Sequence, residues 1–263
     1  MNTNIKVCGK EFDTETKVIL WNEEAGLSFY PYGKYEKRNY SLNQLQKEID
    51  SFFIHHSVTY TAHSAYRGMI GRGLSVNFLI DDDINDNGCA TIYQALDVVD
   101  VGYSQKHHNY KGSGVEICYY PDYWENANRY SQANIDKWGV QPHPIKEDRI
   151  RGYRFPKVFG PTDAQVKSCI KLINGYKKAF PDLIMGFPRD EYGHFLATTV
   201  EENKRIGLLH HFNVDTNKID ALGFPTDYVE TEVKKYAQMQ LIRAKAKNNA
   251  SIINRLLSVF RKK

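Results

Sequence analysis

The chain has 263 residues, enough for one sizeable domain with its own core or for one domain with an appendage. Hydrophobic residues make up 41% of it, and no run approaches the roughly 18 apolar residues of a membrane span, so we expect a soluble globular protein. The first residues lack the basic and apolar regions of a secretory signal, which predicts synthesis in the cytoplasm without a signal peptide. Four cysteines without a C-x-x-C pair argue against a disulfide framework and a cysteine zinc site.

Charge is distributed unevenly along the chain, whose formal net charge is +4. Residues 233–263 contain nine Lys or Arg and no Asp or Glu, which leaves 26 basic and 31 acidic side chains in the preceding 232 residues. We therefore predict an acidic body, residues 1–228, and a basic helical tail, residues 229–263. The tail has one apolar face, formed by Ile252, Ile253, Leu256, Leu257 and Phe260. Such a helix either docks on the body or lies on an anionic membrane or wall polymer.

The predicted elements of the first half are mostly short apolar runs. KVILW and LSFYPY are typical of strands, and SLNQLQKEI predicts a helix that Ser41 caps. SFFIHHSV predicts a buried strand that ends in polar residues. LSVNFLIDDD and CATIYQALD predict the two strands of a hairpin, because the segment between them, DDDINDNG, is rich in turn residues.

The second half contains the clearest helix. GVEICYY predicts another buried strand, and the segment 121–161 is expected to be loop-like, with a helix near NANRYSQANIDKW. TDAQVKSCIKLINGYKKAF has apolar residues at helical spacing, and we expect Thr162 to cap that helix. DLIMGF and GLLHHF predict the last strands of the body. Strands with intervening helices indicate an α/β fold.

The positions of the histidines are the first indication of a functional site. The chain has nine histidines, and six of them stand in adjacent pairs, His55–His56, His107–His108 and His210–His211. Two of these pairs follow predicted strands, and neutral imidazole is a favoured ligand of catalytic zinc, which commonly takes three protein ligands. One histidine from each strand end and a nearby carboxylate would form a His₂Asp zinc site. The spacing does not match H-E-x-x-H, so no thermolysin-like helix is predicted.

Four motifs together resemble one enzyme family. FFIHHS, RGLSVNFLIDDD with GCATIYQALD, HHNYKGSGVEI and HHFNVDTNKID occur in this order across Phe52 to Phe224. They resemble the zinc-dependent N-acetylmuramoyl-L-alanine amidases of the type 2 family, which is related to peptidoglycan recognition proteins and includes phage lysins. The resemblance implies a central mixed β-sheet flanked by helices. It also implies hydrolysis of the amide between N-acetylmuramic acid and L-alanine of peptidoglycan.

The resemblance also implies the metal ligands. The family's first ligand follows the apolar end of the strand, which is His55 here. In the last motif, alignment on Asn213 and Val214 selects His211 and Asp220 as the other ligands of Zn²⁺. The spacing between the last two ligands varies in the family, so His210 remains an alternative to His211. The unchosen histidine of each pair is expected to point to the opposite face of its strand.

Two further residues have catalytic roles in the resemblance. Glu116 matches the family's general base, and its place inside the apolar run GVEICYY agrees with this role, because an unpaired buried carboxylate is costly without a function. A structural ion pair is the alternative for this residue. Lys218, two residues before Asp220, matches the group that stabilises the oxyanion of the tetrahedral intermediate, and otherwise it is a solvated loop cation.

The expected partner is peptidoglycan or a muropeptide, and no nucleic-acid motif accompanies the basic tail. The lack of a signal and the basic tail favour a phage or prophage lysin that acts on the bacterial cell wall. Residues 233–263 are then available for contact with an anionic membrane or wall polymer. A cytoplasmic enzyme that recycles muropeptides, a delivered toxin and a non-catalytic peptidoglycan-binding module are the alternatives.

Overall fold

The computed structural model describes residues 1–30 and 32–260, and it describes only the backbone of residue 244 and residues 247–260. The described strands are β1 Asn4–Val7, β2 Lys10–Asp13, β3 Val18–Leu20, β4 Tyr35–Glu36, β5 Ser51–His56, β6 Phe78–Ile80, β7 Ile92–Gln94, β8 Val101–Gly102, β9 Gly112–Ile117, β10 Ile145–Ile150, β11 Tyr153–Phe159 and β12 Gly207–His210. The α-helices are α1 Leu42–Glu48, α2 Ala62–Gly71, α3 Gln132–Trp138, α4 Asp163–Ala179, α5 His211–Val214 and α6 Thr226–Phe260.

A six-stranded mixed sheet forms the centre of the molecule, in the order β12-β5-β9-β6-β7-β3. The four strands β12, β5, β9 and β6 run parallel to one another, and β6 and β7 form the predicted antiparallel pair. Helices pack on this sheet, so the predicted α/β fold with a central mixed sheet and flanking helices is confirmed. The carboxyl ends of the parallel strands lie at one edge, which is where ligand sites of open α/β sheets form.

The two faces of the sheet bury different side chains because neighbours in a strand point to opposite sides. Phe78 and Ile80 of β6 contribute to a large core that includes the buried face of α4. Leu79, between them, packs into a second core with the buried residues of α2. Thr162 caps α4 as predicted, since its hydroxyl accepts from Gln165 N–H and its own N–H donates to the Gln165 side chain.

Two predicted strands are wrong. The described residues of LSFYPY form no strand, because Leu27 and Phe29 fill the core beneath α2 while Phe29 N–H reaches the sheet at Ala95 O (3.3 Å). DLIMGF also forms no strand. Its apolar residues Leu183, Met185 and Phe187 join the larger core, so the burial that the pattern predicts is present without a ladder.

Residues 145–159, predicted as loop, form a β-hairpin instead. Strands β10 and β11 pair antiparallel, with an irregular register between Lys146 and Asp148. Arg151 and Gly152 connect them with φ values of 49° and 80°, as a tight two-residue hairpin turn requires. Most of β10, IKEDRI, is exposed or half-buried, and its polar residues gave no apolar signal of a strand. The helix expected near NANRYSQANIDKW is α3.

Helix α6 begins on the body and continues into the basic tail. Val229 and Val233 are fully buried in the larger core, whereas Met239, Leu241 and Ile242 are exposed. The side chains of the predicted apolar face, from Ile252 to Phe260, are not among those that the structure describes. The role of that face therefore stays a prediction. None of the described helices combines the length and the apolar character that crossing a membrane requires. The boundary at residues 228 and 229 stays a prediction.

Candidate active site

Strand register places three of the predicted residues in one row. His55 of β5 pairs directly with Glu116 of β9, and His210 of β12 pairs with Ile54. His211 therefore follows β12 at the same level at which His55 follows Ile54. All three side chains meet at the carboxyl ends of adjacent parallel strands. His55 and His211, which are 156 positions apart in the chain, become neighbours through this register.

Three ligand-type atoms converge at the end of β5 and β12. His55 Nδ1 lies 3.1 Å from His211 Nδ1, and Asp220 Oδ2 lies 2.9 Å from each of these nitrogens. Both histidines are buried, and the Asp220 side chain is 14% exposed. Among the residues that the structure describes, these are the three His, Cys, Asp or Glu side chains whose ligand atoms cluster in this way.

The other histidines of these two pairs, His56 and His210, do not belong to the cluster. His56 Nδ1 accepts a hydrogen bond from Leu222 N–H (3.1 Å), and its ring packs against Tyr119. His210 Nε2 lies 2.9 Å from Thr226 Oγ1, and its ring stacks between aromatic side chains. The structure thus brings His211, and not His210, to His55 and Asp220. The hydrogen bonds and ring contacts of His56 and His210 stabilise the fold around the cluster.

The donor set fits a zinc ion. Two imidazole nitrogens and one carboxylate oxygen are common zinc ligands, and a tetrahedral ion with bonds of about 2.0–2.1 Å holds its ligand atoms about 3.3 Å apart. The separations of 2.9–3.1 Å between the three ligand atoms need only a small expansion to match this value. Zinc binding by His55, His211 and Asp220 stays a prediction that this geometry supports.

The protonation of the cluster also suits a cation. Burial opposes the ionisation of Asp220, but hydrogen bonds from His211 and His55 outweigh it and hold the pKa of the carboxyl well below its usual value. Burial, with the neighbouring His211, lowers the pKa of His55. The site therefore offers an ionised carboxylate and a neutral imidazole, which are the forms that coordinate metals.

Glu116, on the central strand β9, lines a cleft that His211 and Asp220 also line. Its Oε2 atom is buried and has no hydrogen-bond partner among the described residues. Burial, together with the charge of Asp220, raises the pKa of the Glu116 carboxyl to about 8. Glu116 forms no ion pair with the described residues, which argues against the alternative of a structural ion pair. An unpartnered carboxyl of this kind is typical of a proton-transfer group.

Lys218 lies on the exposed loop between α5 and Asp220, and it lines the cleft beside that residue. Its backbone is held at both ends, because its N–H donates to Asp215 O (3.2 Å) and its carbonyl accepts from Arg151. The side chain makes no ion pair with the described residues. Its ammonium group is thus free to meet a substrate, although the oxyanion role remains a prediction.

The cleft has a volume of about 600 Å³ and contains residues that sequence reasoning missed, namely Lys34, Arg72, Lys106 and Trp124. Arg72 ends α2 and lies close enough to Glu116 for its charge to favour ionisation of that carboxyl. Arg72 is the first residue of the motif RGLSVNFLIDDD, but the motif gave it no role. Lys34, Lys106 and Trp124 belong to none of the four motifs, so the sequence offered no local signal for them. Trp124 is the last residue of the aromatic run YYPDYW, residues 119–124.

Solved structures similar to this chain are N-acetylmuramoyl-L-alanine amidases, the class that the sequence motifs predict. LysC from Clostridium intestinale URNW has a TM-score of 0.44 and 14% identity, over 83% of this chain and 98% of that one. AmiD from E. coli, solved with anhydro-N-acetylmuramic acid-L-Ala-D-gamma-Glu-L-Lys as substrate, has a TM-score of 0.43 and 12% identity, over 88% and 65%. The endolysine LysCS, also from Clostridium intestinale URNW, has a TM-score of 0.42 and 14% identity, over 83% and 95%.

At these values the likeness is one of overall fold and says nothing about individual residues of the site. No protein-family model matches the chain, and no curated protein matches it either. A functional conclusion must therefore rest on the residues of the site and their geometry.

Proposed function

We propose that this protein is a zinc-dependent N-acetylmuramoyl-L-alanine amidase that hydrolyses the amide between N-acetylmuramic acid and L-alanine of peptidoglycan. The observation that carries the proposal is the convergence of His55 Nδ1, His211 Nδ1 and Asp220 Oδ2 within 3.1 Å. His211 and Asp220 line a cleft that Glu116 also lines. A metal-ligand triad beside an unpartnered carboxyl is the arrangement that metal-assisted amide hydrolysis requires. The sequence motifs supply the identity of the bond.

Metal binding, proton transfer and stabilisation of the oxyanion are assigned to different side chains of the site. His55, His211 and Asp220 would hold Zn²⁺, which supplies a Lewis acid for the scissile carbonyl and for water. Glu116 accepts a proton from the attacking water at its carboxylate and later delivers that proton to the nitrogen of the leaving L-alanine. Burial raises the pKa of the Glu116 carboxyl, and the positive charge of a bound Zn²⁺ would oppose this shift and favour the carboxylate that accepts the proton. Lys218 donates to the carbonyl oxygen as negative charge develops on it.

We further propose that the enzyme acts as a lysin on the bacterial cell wall. Support comes from the basic segment 233–263, whose nine cationic residues suit contact with an anionic envelope. A non-catalytic binding module is disfavoured, because such a module has no use for the carboxyl of Glu116, whose buried Oε2 has no partner among the described residues, beside a complete ligand set. Phage or prophage origin fits this activity and is part of the proposal.

Incubation of purified sacculi with the enzyme, followed by mass analysis of the released fragments, tests the proposal. The wild type with zinc is expected to release stem peptides that begin with L-alanine. Glu116→Gln should lower the rate by about 10²- to 10⁴-fold, because the general base is lost while the carboxamide keeps the size of the side chain. Asp220→Ala, or a chelator, should abolish release.

Glu125→Gln is the matched control, since Glu125 is another carboxylate that lines the cleft and it should keep most of the activity. Release of cut sugars in place of peptides would refute the amidase assignment. Activity of Glu116→Gln equal to that of the wild type would refute the assigned proton transfer.

A further inference from the structure

A second, aromatic groove adjoins the cleft. It has a volume of about 480 Å³, within the range of about 300–1,000 Å³ that small-ligand sites occupy. Its lining comes from two segments, the loop after β9 and strand β11, and consists of Tyr123, Trp124, Arg154, Phe155, Pro156 and Lys157. None of these residues belongs to the motifs that define the proposed active site. We call this surface the aromatic groove.

Trp124 joins the aromatic groove to the cleft. Its side chain lines both, and it is 50% exposed, so its ring is accessible to a ligand from either side. Its ring lies 5.7 Å from that of Phe155, at an interplanar angle of 46°. A molecule bound in the cleft therefore meets the aromatic groove without a gap when it extends past Trp124.

The aromatic groove is held in place before any ligand arrives. Pro121 O accepts hydrogen bonds from Tyr123 N–H (2.8 Å) and from Phe159 N–H (3.1 Å), which ties the loop to strand β11. On the next residue, the buried Asp122 accepts from Arg129 Nε (2.7 Å). Because these bonds already order the loop, a ligand does not have to supply the free energy of ordering it.

The chemistry of the lining favours a sugar. A pyranose ring has a flat face of C–H groups that packs on an aromatic ring, and its hydroxyl and acetamido oxygens accept hydrogen bonds at the rim. The aromatic groove offers the rings of Trp124 and Phe155, and beside them the ammonium group of Lys157 as a donor. Arg154 also lines the groove, with its Nε and Nη2 already donating to Glu147 (2.8 Å each). Lys157 Nζ stands 5.4 Å from the centre of the Tyr123 ring.

We propose that the aromatic groove binds the glycan strand of the substrate, at a sugar ring beyond the muramic acid whose amide is cleaved. This inference rests on the proposed function, which places the muramic acid in the cleft, so that the neighbouring sugars of the polymer continue along the protein surface. The groove then makes the enzyme prefer polymeric glycan over a muropeptide with one sugar. Trp124 is the residue that connects the two parts of this binding surface.

Binding of peptide-free glycan strands, measured by calorimetry with the zinc-loaded protein, tests the inference directly. Trp124→Ala should weaken binding about tenfold or more, whereas Trp124→Phe, which keeps an aromatic face, should recover most of it. Trp138→Ala is the matched control, because Trp138 is 53% exposed but stacks on Tyr60 away from the groove. Its affinity for the strands should equal that of the wild type.

Hydrolysis supplies the second measurement. The ratio of kcat/KM on polymeric peptidoglycan to kcat/KM on a single-sugar muropeptide should fall about tenfold in Trp124→Ala. Wild-type affinity of Trp124→Ala for glycan strands would overturn the inference. A loss of affinity for sugar-free stem peptides in place of strands would also overturn it, since a peptide then occupies the groove. Strand binding through Trp124 by a protein that hydrolyses neither substrate would support the groove and refute the proposed function.

Discussion

Zinc should raise the thermal stability of the wild-type protein, and Asp220 should be required for the effect. The three donor atoms already lie within 3.1 Å of one another in the folded chain, whereas an unfolded chain separates them by many residues. The ion therefore binds the native state preferentially and shifts the folding equilibrium by RT ln(1 + [Zn]/Kd). The perturbation is Asp220→Ala, which removes the ligand that both histidines contact.

The size of the effect follows from this relation. Free zinc at about 100 times Kd stabilises the wild type by about 2.7 kcal/mol. For a domain of this size, each kcal/mol moves the Tm by about 2–4 °C, so the expected shift is about 5–10 °C. If loss of the carboxylate raises Kd about 100-fold, the same zinc concentration stabilises Asp220→Ala by only about 0.4 kcal/mol, or about 1 °C.

Scanning fluorimetry or calorimetry over a zinc titration, with chelator-treated protein as the reference, measures these shifts. Asp215→Asn is the matched control, because Asp215 is a buried carboxylate on the same loop that pairs with Lys106 outside the cluster. This variant should start from a lower Tm and keep the full zinc shift. An equal shift in wild type and Asp220→Ala, or no shift in the wild type, would refute the assigned site.

Two further predictions concern helix α6. Arg189→Met should lower the free energy of unfolding by about 1–2 kcal/mol, because it leaves the carboxylate of Glu230, 4% exposed, without its main partner. Despite the cost of burial, the hydrogen bond from Arg189 lowers the pKa of Glu230, so this stability exists above the ordinary glutamate pKa of 4.5 and is lost as pH falls through the folded value. Chemical denaturation at several pH values checks both points, with the exposed Arg154→Met as a variant that should change little. Deletion of residues 247–263 should reduce binding to anionic vesicles at low salt about tenfold or more and leave binding to neutral vesicles unchanged, as co-sedimentation would show; equal binding to both would contradict a surface role of the tail.

Much of the site could be predicted because its residues sit at fixed points of regular elements. The apolar runs of β5, β9 and β12 predicted buried strands, and adjacent parallel strands bring their ends to one edge. Within a strand, alternation then assigns one face to each histidine of a pair. The choice between His210 and His211 was less certain, because β12 ends there and α5 begins, and a one-residue shift of the strand end reverses the faces.

The segment 121–161 could not be predicted in the same way. Its hairpin is mostly exposed, so its strands lack the alternation of apolar and polar residues by which a half-buried strand is recognised in a sequence. Its loop is ordered by Asp122 and Arg129 and by the bonds of Pro121 O, which are particular contacts and not periodic ones. The aromatic groove depends on how this loop meets β11. Composition indicated aromatic residues there, but only the packing shows that they form one surface beside the cleft.

The adjacent histidine pairs gain a physical explanation from this arrangement. His56 Nδ1 accepts from Leu222 N–H, two residues after Asp220, and His210 faces Thr226 at the start of α6. Burial lowers the pKa of His56 to about 4 and that of His210 to about 3, so both rings stay neutral and keep their roles as hydrogen-bonding groups. Two of the three pairs, His55–His56 and His210–His211, thus place one imidazole at the proposed metal site and the other against the segment that carries or follows Asp220. Strand β5 fixes both rings of the first pair, and the junction of β12 and α5 fixes those of the second, so the ligand and its supporting histidine are positioned together.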